Sequence, residues 1–447
     1  MTRLLLALAA ISTIATDLPG QDPAPVSLTL GGAARLAAER SASAAGARAR
    51  SSQADARVSQ ERAAFLPSLS TTAYASSRTF NTASLGLDFP AAPGGQAPFD
   101  ARGDVLGPVR TVDLRTQVTQ RVVDVSALMR WRGKAAEADA SRFNAVASAE
   151  DAAERGATAY LRVLNAEARI SARAADSALA VELLDIARQQ LNAGVGIALD
   201  VTRAEAQLAD ARARLISTRS ERDRAMLQLR RELEMSHSAP LVLADSLTPP
   251  SDADSTSSDD DAIRVALDRR ADYKAAQAET QSAQLHARAA RSERLPAISL
   301  FADHGTTGRD TDRLLSTYSY GVQVTLPLFD GLRIESKAAE ERAKHAEAKV
   351  RLHDAQRRIE TEVRTARITL AAAREEVSAA NARLRLAEQE VSQARERFRN
   401  GVSSNADVIT ASIALNGARD LVIDALTSFH LARVSLASAQ GSATSLP

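Results

Sequence analysis

Cysteine is absent from this chain of 447 residues, which excludes disulfides, thiol nucleophiles and a lipid-modified N-terminal cysteine. Methionine is scarce at 4, so a soft-metal relay finds no ligands. The 6 histidines are scattered; His345 and His353 lie on neighbouring faces of one helix, without companions at metal-ligand spacing. No Ser-His-Asp order, nucleophile elbow or metalloprotease motif is present, so no enzyme and no cofactor is expected. Charge of either sign lacks an excess, 56 basic against 55 acidic residues, and no basic field advertises nucleic acid. Aromatics make up only 3%, too few for a thick globular core. Past the N-terminus no long apolar run occurs, so membrane insertion would have to use strands.

What is abundant is alanine, which dominates an apolar share of 45% and favours helices that approach closely. The first residues, Met1, Thr2 and Arg3, precede an apolar stretch from Leu4 to about Ala15. A basic start, a short apolar segment and a small-residue exit predict a signal peptide over 1–15.

The rest of the chain is written twice. Leu191 to Val201 recurs as Phe398 to Val408, with Gly194 matching Gly401 and Asp200 matching Asp407 at a shift of 207. Val118 and Asp124 match Val324 and Asp330, and the Leu-Pro pair at Pro67 matches that at Pro296. The first copy carries about 23 extra residues in a Gly/Pro-rich stretch after Ser84, the composition of an exposed loop. Repeat 1 is predicted over 26–235, with a strand pair at 66–76 and 112–123 and a helical hairpin whose tip is 192–200. Repeat 2 is predicted over 262–440, with strands at 295–304 and 318–328 and a tip at 399–407. An acidic linker, 236–261, joins them, and 441–447 form a tail; the linker's aspartates lack a calcium-loop glycine and read as solvated.

The helices are patterned in sevens. Val363, Leu370, Val377, Leu384, Val391 and Phe398 recur at that interval, accompanied by alanines three places on. After the turn Val408, Leu415, Val422, Phe429 and Leu436 resume it, and the first copy keeps a degraded version through Val163, Ile170, Leu184 and Leu191. Strict sevens predict helices coiled around neighbours, and the alanine column lets them pack closely. From about Ser126 to Leu191 the pattern allows one helix of roughly 100 Å. Asn400-Gly401 and Asn192 to Gly194 supply left-handed stops, with Ser404 or Asn405 placed to cap the returning helix.

The strands alternate between two environments. Tyr318, Tyr320, Val322, Val324, Leu326 and Leu328 share one face, opposite Ser319, Gly321, Gln323 and Thr325. The first copy sets Val112, Leu114, Val118 and Val122 against Asp113, Arg115, Gln117, Thr119 and Arg121. Such two-faced strands suit a water-filled barrel in lipid, and Trp131 with Arg132 sits where an interface would fall. Four strands cannot close a barrel, and an open edge in hydrocarbon leaves backbone groups unpaired at several kcal/mol each. Two copies would give a lumen filled by side chains; three give about twelve strands and a pore.

This layout resembles the outer-membrane efflux protein family typified by TolC. The marks are the duplicated order, the tips NAGVGIALDVTRAEAQL and FRNGVSSNADVITASIAL, and the lead-in helices before Leu66-Pro67 and Leu295-Pro296. The resemblance implies a mixed α and β membrane protein: a homotrimer with a twelve-stranded barrel in the outer-membrane lipid and a coiled-coil helical duct crossing the periplasm. It implies a periplasmic adaptor and an inner-membrane pump as partners, the adaptor docking at tips that contain Gly194, Val195, Gly401 and Val402. It also implies a constriction at Asp407 with Asp200 as its acidic partner, while Thr410 and Ser403 stand where the family has a second aspartate and a locking arginine. The function so implied is passive export of solutes. Two alternatives stay open: Asp407 as an aspartate stabilised by its helix dipole, and the whole chain as a periplasmic coiled-coil structural or adaptor protein without a pore.

Overall fold

The computed structural model describes residues 26–85, 94, 103–238, 240–250 and 258–447. The expected signal peptide, most of the Gly/Pro-rich stretch and part of the acidic linker lie outside those residues. A short strand β1 (Val26–Leu28) leads into helices α1 (Leu30–Arg40) and α2 (Ala42–Arg62), strands β2 (Ser68–Asn81) and β3 (Val105–Val123), and helices α3 (Val125–Asn192) and α4 (Ala198–Glu232). After strand β4 (Leu241–Leu243) the same order returns: α5 (Asp259–Arg269), α6 (Ala271–Ser292), β5 (Ala297–Gly308), β6 (Leu315–Thr325), α7 (Arg333–Arg399) and α8 (Asn405–Ala439).

α3 and α7 hold 68 and 67 residues, so each runs about 100 Å. No single core can serve such rods, and burial follows the seams. Val363, Val377 and Val391 of α7 are buried, as are Val408, Leu415 and Phe429 of α8, with the alanine column between them. α8 contains the one window among the described helices apolar enough to cross a membrane; its heptad face is spent on α7 and α3.

Each lead-in helix, read from sequence as continuous, is broken in two. Ser41 (φ −53°, ψ 142°) leaves helical geometry and its hydroxyl accepts from Ala44 N, the ordinary reward for a serine at a helix start. Arg270 (φ −59°, ψ 122°) makes the matching break, held by Asp272 at 2.7 Å and by Glu362. Burial penalises the Asp272 carboxylate, but the Arg270 bonds outweigh it, and its proton affinity falls below the usual range.

At this level β1 pairs in parallel with β4, Val26 to Leu28 against Leu241 to Leu243. Tyr160, fully buried in α3, donates its hydroxyl to Leu28 O at 2.9 Å and to Asp245 Oδ2 at 3.1 Å. That contact pins β1 and the segment after β4 to α3. Nearby, a Cβ on Gly156 would lie 2.5 Å from Ala37 Cβ, so α1 and α3 touch backbone to backbone. Gly156→Val is expected to cost about 1–3 kcal/mol through overpacking, read as a lower unfolding midpoint; an unchanged midpoint would refute the close contact.

β2, β3, β5 and β6 form one antiparallel sheet in that order. The β3–β5 ladder, from Val112 opposite Gly308 to Val123 opposite Ile298, joins the two halves of the chain. Within this chain β2 and β6 each keep one side without a strand partner among the described residues.

Candidate functional site

The register sorts the sheet into two faces. Tyr318, Tyr320, Val322 and Val324 of β6 align through His304, Ala302, Leu300 and Ile298 of β5 with Thr116, Val118, Gln120 and Val123 of β3, and Thr116 and Val118 with Thr71 and Leu69 of β2; Leu114 and Ala73 lie on the same face one pair farther along. Tyr320 on this face is 78% exposed. β6 ends at Thr325, so Leu326 and Leu328, which the alternation assigned to the strand, lie in the turn below it, Leu328 89% exposed.

The opposite face is polar. Ser68, Ser70 and Thr72 of β2 share it with Asp113, Arg115, Gln117 and Thr119 of β3, Asp303 of β5 and Ser319 of β6. Arg115 donates to Asp113 at 3.2 Å, to Thr317 at 3.0 Å and to Asp303, which also accepts from Ser319. The polar side chains therefore satisfy one another across three strands. On this face Phe301 lies over Gly321, where a Cβ would come within 2.8 Å of the ring.

At the far end the two hairpins turn alike. Gly194 and Gly401 take φ of 73° and 71°, open to glycine without strain. Val195 N donates to Gln190 O at 3.1 Å and Val402 N to Arg397 O at 2.8 Å. Both valines project from the tips, 80% and 68% exposed. Asp200 and Asp407 both stand third in the helices that leave the turns, where a helix N-terminus favours negative charge. Asp200 has Arg203 at 3.9 Å, its own carboxylate largely covered. Asp407 is exposed and makes no ion pair among the described residues. Thr410 is exposed and returns its hydroxyl to Ala406 O at 2.9 Å. The Ser403 hydroxyl is buried without a hydrogen-bond partner among the described residues.

Neither Ser404 nor Asn405 caps α8 through its side chain, contrary to the sequence reading. Asn405 is fully buried and instead donates to Asp200 O at 2.8 Å, while Gln190 donates to Phe398 O at 2.8 Å. These two amides tie one tip to the other. Sequence reasoning missed both bonds, because an amide aimed at a backbone carbonyl some 205 residues away has no local signature.

Farther up, α3 and α8 share an ionic network. Asp176, 4% exposed, accepts from Arg173 at 3.0 Å and from Arg419 at 2.6 Å. Oriented to donate, the Asn416 amide reaches the same carboxylate at 2.6 Å. Arg173 also bonds Asp420, and Arg169 lies 3.7 Å from Asp420.

Comparison with known proteins agrees with this geometry. The outer membrane efflux protein pattern matches residues 33–233 and 262–442. The alkaline protease secretion protein AprF of Pseudomonas aeruginosa is 25% identical over 314 residues, which are 67% of this chain and 63% of AprF. The chain thus matches just under two thirds of that relative's length. The outer-membrane channel OprN superposes with a TM-score of 0.78 at 18% identity, over 92% of this chain and 90% of OprN. The outer membrane channel CmeC of Campylobacter jejuni does so with a TM-score of 0.76 at 17% identity, over 99% and 94%. At such identities the superpositions establish the fold.

Proposed function

Since the chain belongs to the outer membrane efflux protein family, we propose that it is the passive outer-membrane exit of a tripartite efflux or type I secretion assembly. It resides in the outer membrane with a large periplasmic helical portion. In this reading three copies join β6 of one to β2 of the next, giving about twelve strands around a polar lumen, an even number in the range of known barrels. The observation that carries it is the open sheet, apolar on one face, polar on the other, with both edges unpaired. A periplasmic rod has no use for a face of Tyr318, Tyr320, Val322 and Val324 turned to solvent, so the pore-free alternative is disfavoured.

The repeated element order supports an internal duplication, with repeats over 26–235 and 262–440. The exposed tips, Gly194-Val195 and Gly401-Val402, are the proposed docking points for a periplasmic adaptor, which in turn contacts the inner-membrane pump. Asp407, Asp200, Thr410 and Ser403 make up the proposed gate. With Thr410 and Ser403 both neutral, the amide ties from Asn405 and Gln190 take the larger share in holding the tips together.

Two measurements test this reading. Protein extracted from outer membranes in detergent should have the mass of three chains, whereas a monomer soluble without detergent would overturn it. In a planar bilayer, Asp407→Ala should lower the cation preference by about two- to fivefold at low salt, less at high salt, because three unpaired carboxylates near the axis focus a screened field. Unchanged selectivity would remove Asp407 from the gate.

A further inference from the structure

We propose that the groove between α6 and α7, directly below the sheet, binds the phosphate-bearing headgroup of an anionic phospholipid in the inner leaflet of the outer membrane; this rests on the membrane placement above. The groove is a cavity of about 470 Å³. Arg288 and Arg291 enter it from α6, Arg294 from the turn just after α6, and Glu335, Arg342 and His345 from α7. A spacing of three puts Arg288 and Arg291 on one face of α6, and spacings of seven and three put Glu335, Arg342 and His345 on one face of α7.

Four guanidiniums meet one carboxylate there, and that carboxylate is already taken: Arg294 bonds Glu335. The nearby Glu293 is likewise engaged, by Arg333 at 3.2 Å and by Lys337. Arg288, Arg291 and Arg342 have no carboxylate partner among the described residues, Arg342 donating only to Ala338 O of its own helix at 3.1 Å. Most other arginines on these helices, such as Arg333, Arg351 and Arg358, are paired. Unpaired guanidiniums converging on one cavity supply the forked donors that phosphate accepts. The local field is felt by His345, whose proton affinity is lowered by burial and then by Lys349 and Arg288.

Apolar surface stands immediately above. Leu295 follows Arg294 in the chain, and Leu328, Phe329 and Leu332 precede α7; all four are exposed. From Arg288 to its end at Ser292 α6 rises about 6 Å, within the roughly 5–8 Å of the interfacial layer on each side of a bilayer. Basic side chains at headgroup depth beneath exposed leucine and phenylalanine match a lipid, charge to phosphate and apolar surface to acyl chain. A free phosphate would use the arginines but leave the apolar rim without a role.

Native mass spectrometry of the full-length protein in neutral detergent tests this with dioleoylphosphatidylglycerol against dioleoylphosphatidylcholine. Wild type should retain phosphatidylglycerol at least about tenfold better, from roughly a factor of several per arginine. The variant R288Q/R291Q/R342Q should discriminate less than about twofold while conducting like wild type. Inorganic phosphate at millimolar concentration should not displace the lipid. Wild type that binds both lipids equally overturns the proposal without any variant, as does discrimination that survives in the triple variant. Displacement by inorganic phosphate would assign the groove to free anions instead. Wild type that conducts but does not discriminate defeats this inference alone; failure to insert or conduct defeats the channel reading.

Discussion

Asp176→Ala is expected to cost about 3–5 kcal/mol, because removing one partner of a buried ion network leaves the others charged and unpaired. Arg173 is almost as deeply placed as Asp176, and Arg419 pairs with Asp176 alone among the described residues. The energetic loss is confined to the α3–α8 contact, so it should show as local opening before global unfolding. Amide exchange across residues 169–180 and 416–427 should speed up by about 10² or more, as 3 kcal/mol implies, while exchange in the sheet is unchanged. Asp176→Asn retains shape and one acceptor and should cost less. Replacing Arg173, Asp176, Arg419 and Asp420 together by apolar residues of similar volume should restore much of the loss, since such networks are seldom better than a packed apolar contact. Uniform exchange in Asp176→Ala and wild type would show that the two hairpins are held together elsewhere.

The second large effect lies in the sheet. Val322→Arg places a charge on the apolar face of β6, beside Tyr320 and Val324. In a bilayer each copy should lose about 2–4 kcal/mol if the residue sits near the midplane, and less toward the rim. In the proposed three-chain assembly the penalty is incurred three times, so assembled protein recovered from membranes should fall steeply. Ser319→Arg, on the opposite face beside Asp303, should assemble nearly as well as wild type, because that side chain meets water and a carboxylate. Equal tolerance of the two substitutions would mean that the faces do not see different solvents.

The helical seams were the most legible part of the fold, because a residue repeated every seven positions has one physical meaning. Val363, Val377, Val391, Val408, Leu415 and Phe429 are all buried where the repeat puts them. In the first copy the apolar series lapses between Ile170 and Leu184, where Ser177 stands, and beside that gap Asp176 and Arg173 reach across to α8.

Alternation exposed β6, with its aromatic and β-branched residues, but left β2 faint. One side of β2 carries Ser68, Ser70 and Thr72, and the other Leu69, Thr71 and Ala73, so small residues blur the contrast that the period needs. The parallel β1–β4 pair could not be anticipated, since three-residue strands have no measurable period. Nor could the helix break at Arg270, which depends on a partner, Glu362, far along the chain. At the tips the glycines announced the turns, because positive φ selects for them. The bonds that join the tips were invisible, being long-range side-chain to backbone contacts.

Conductance across a planar lipid bilayer bears most directly on whether this sheet becomes the wall of a pore. Purified wild-type protein added to one side should produce discrete, uniform current steps, and the variant Val322→Arg should produce far fewer under the same conditions. A bilayer that stays silent at every protein concentration, with the protein still folded and helical, would contradict the account.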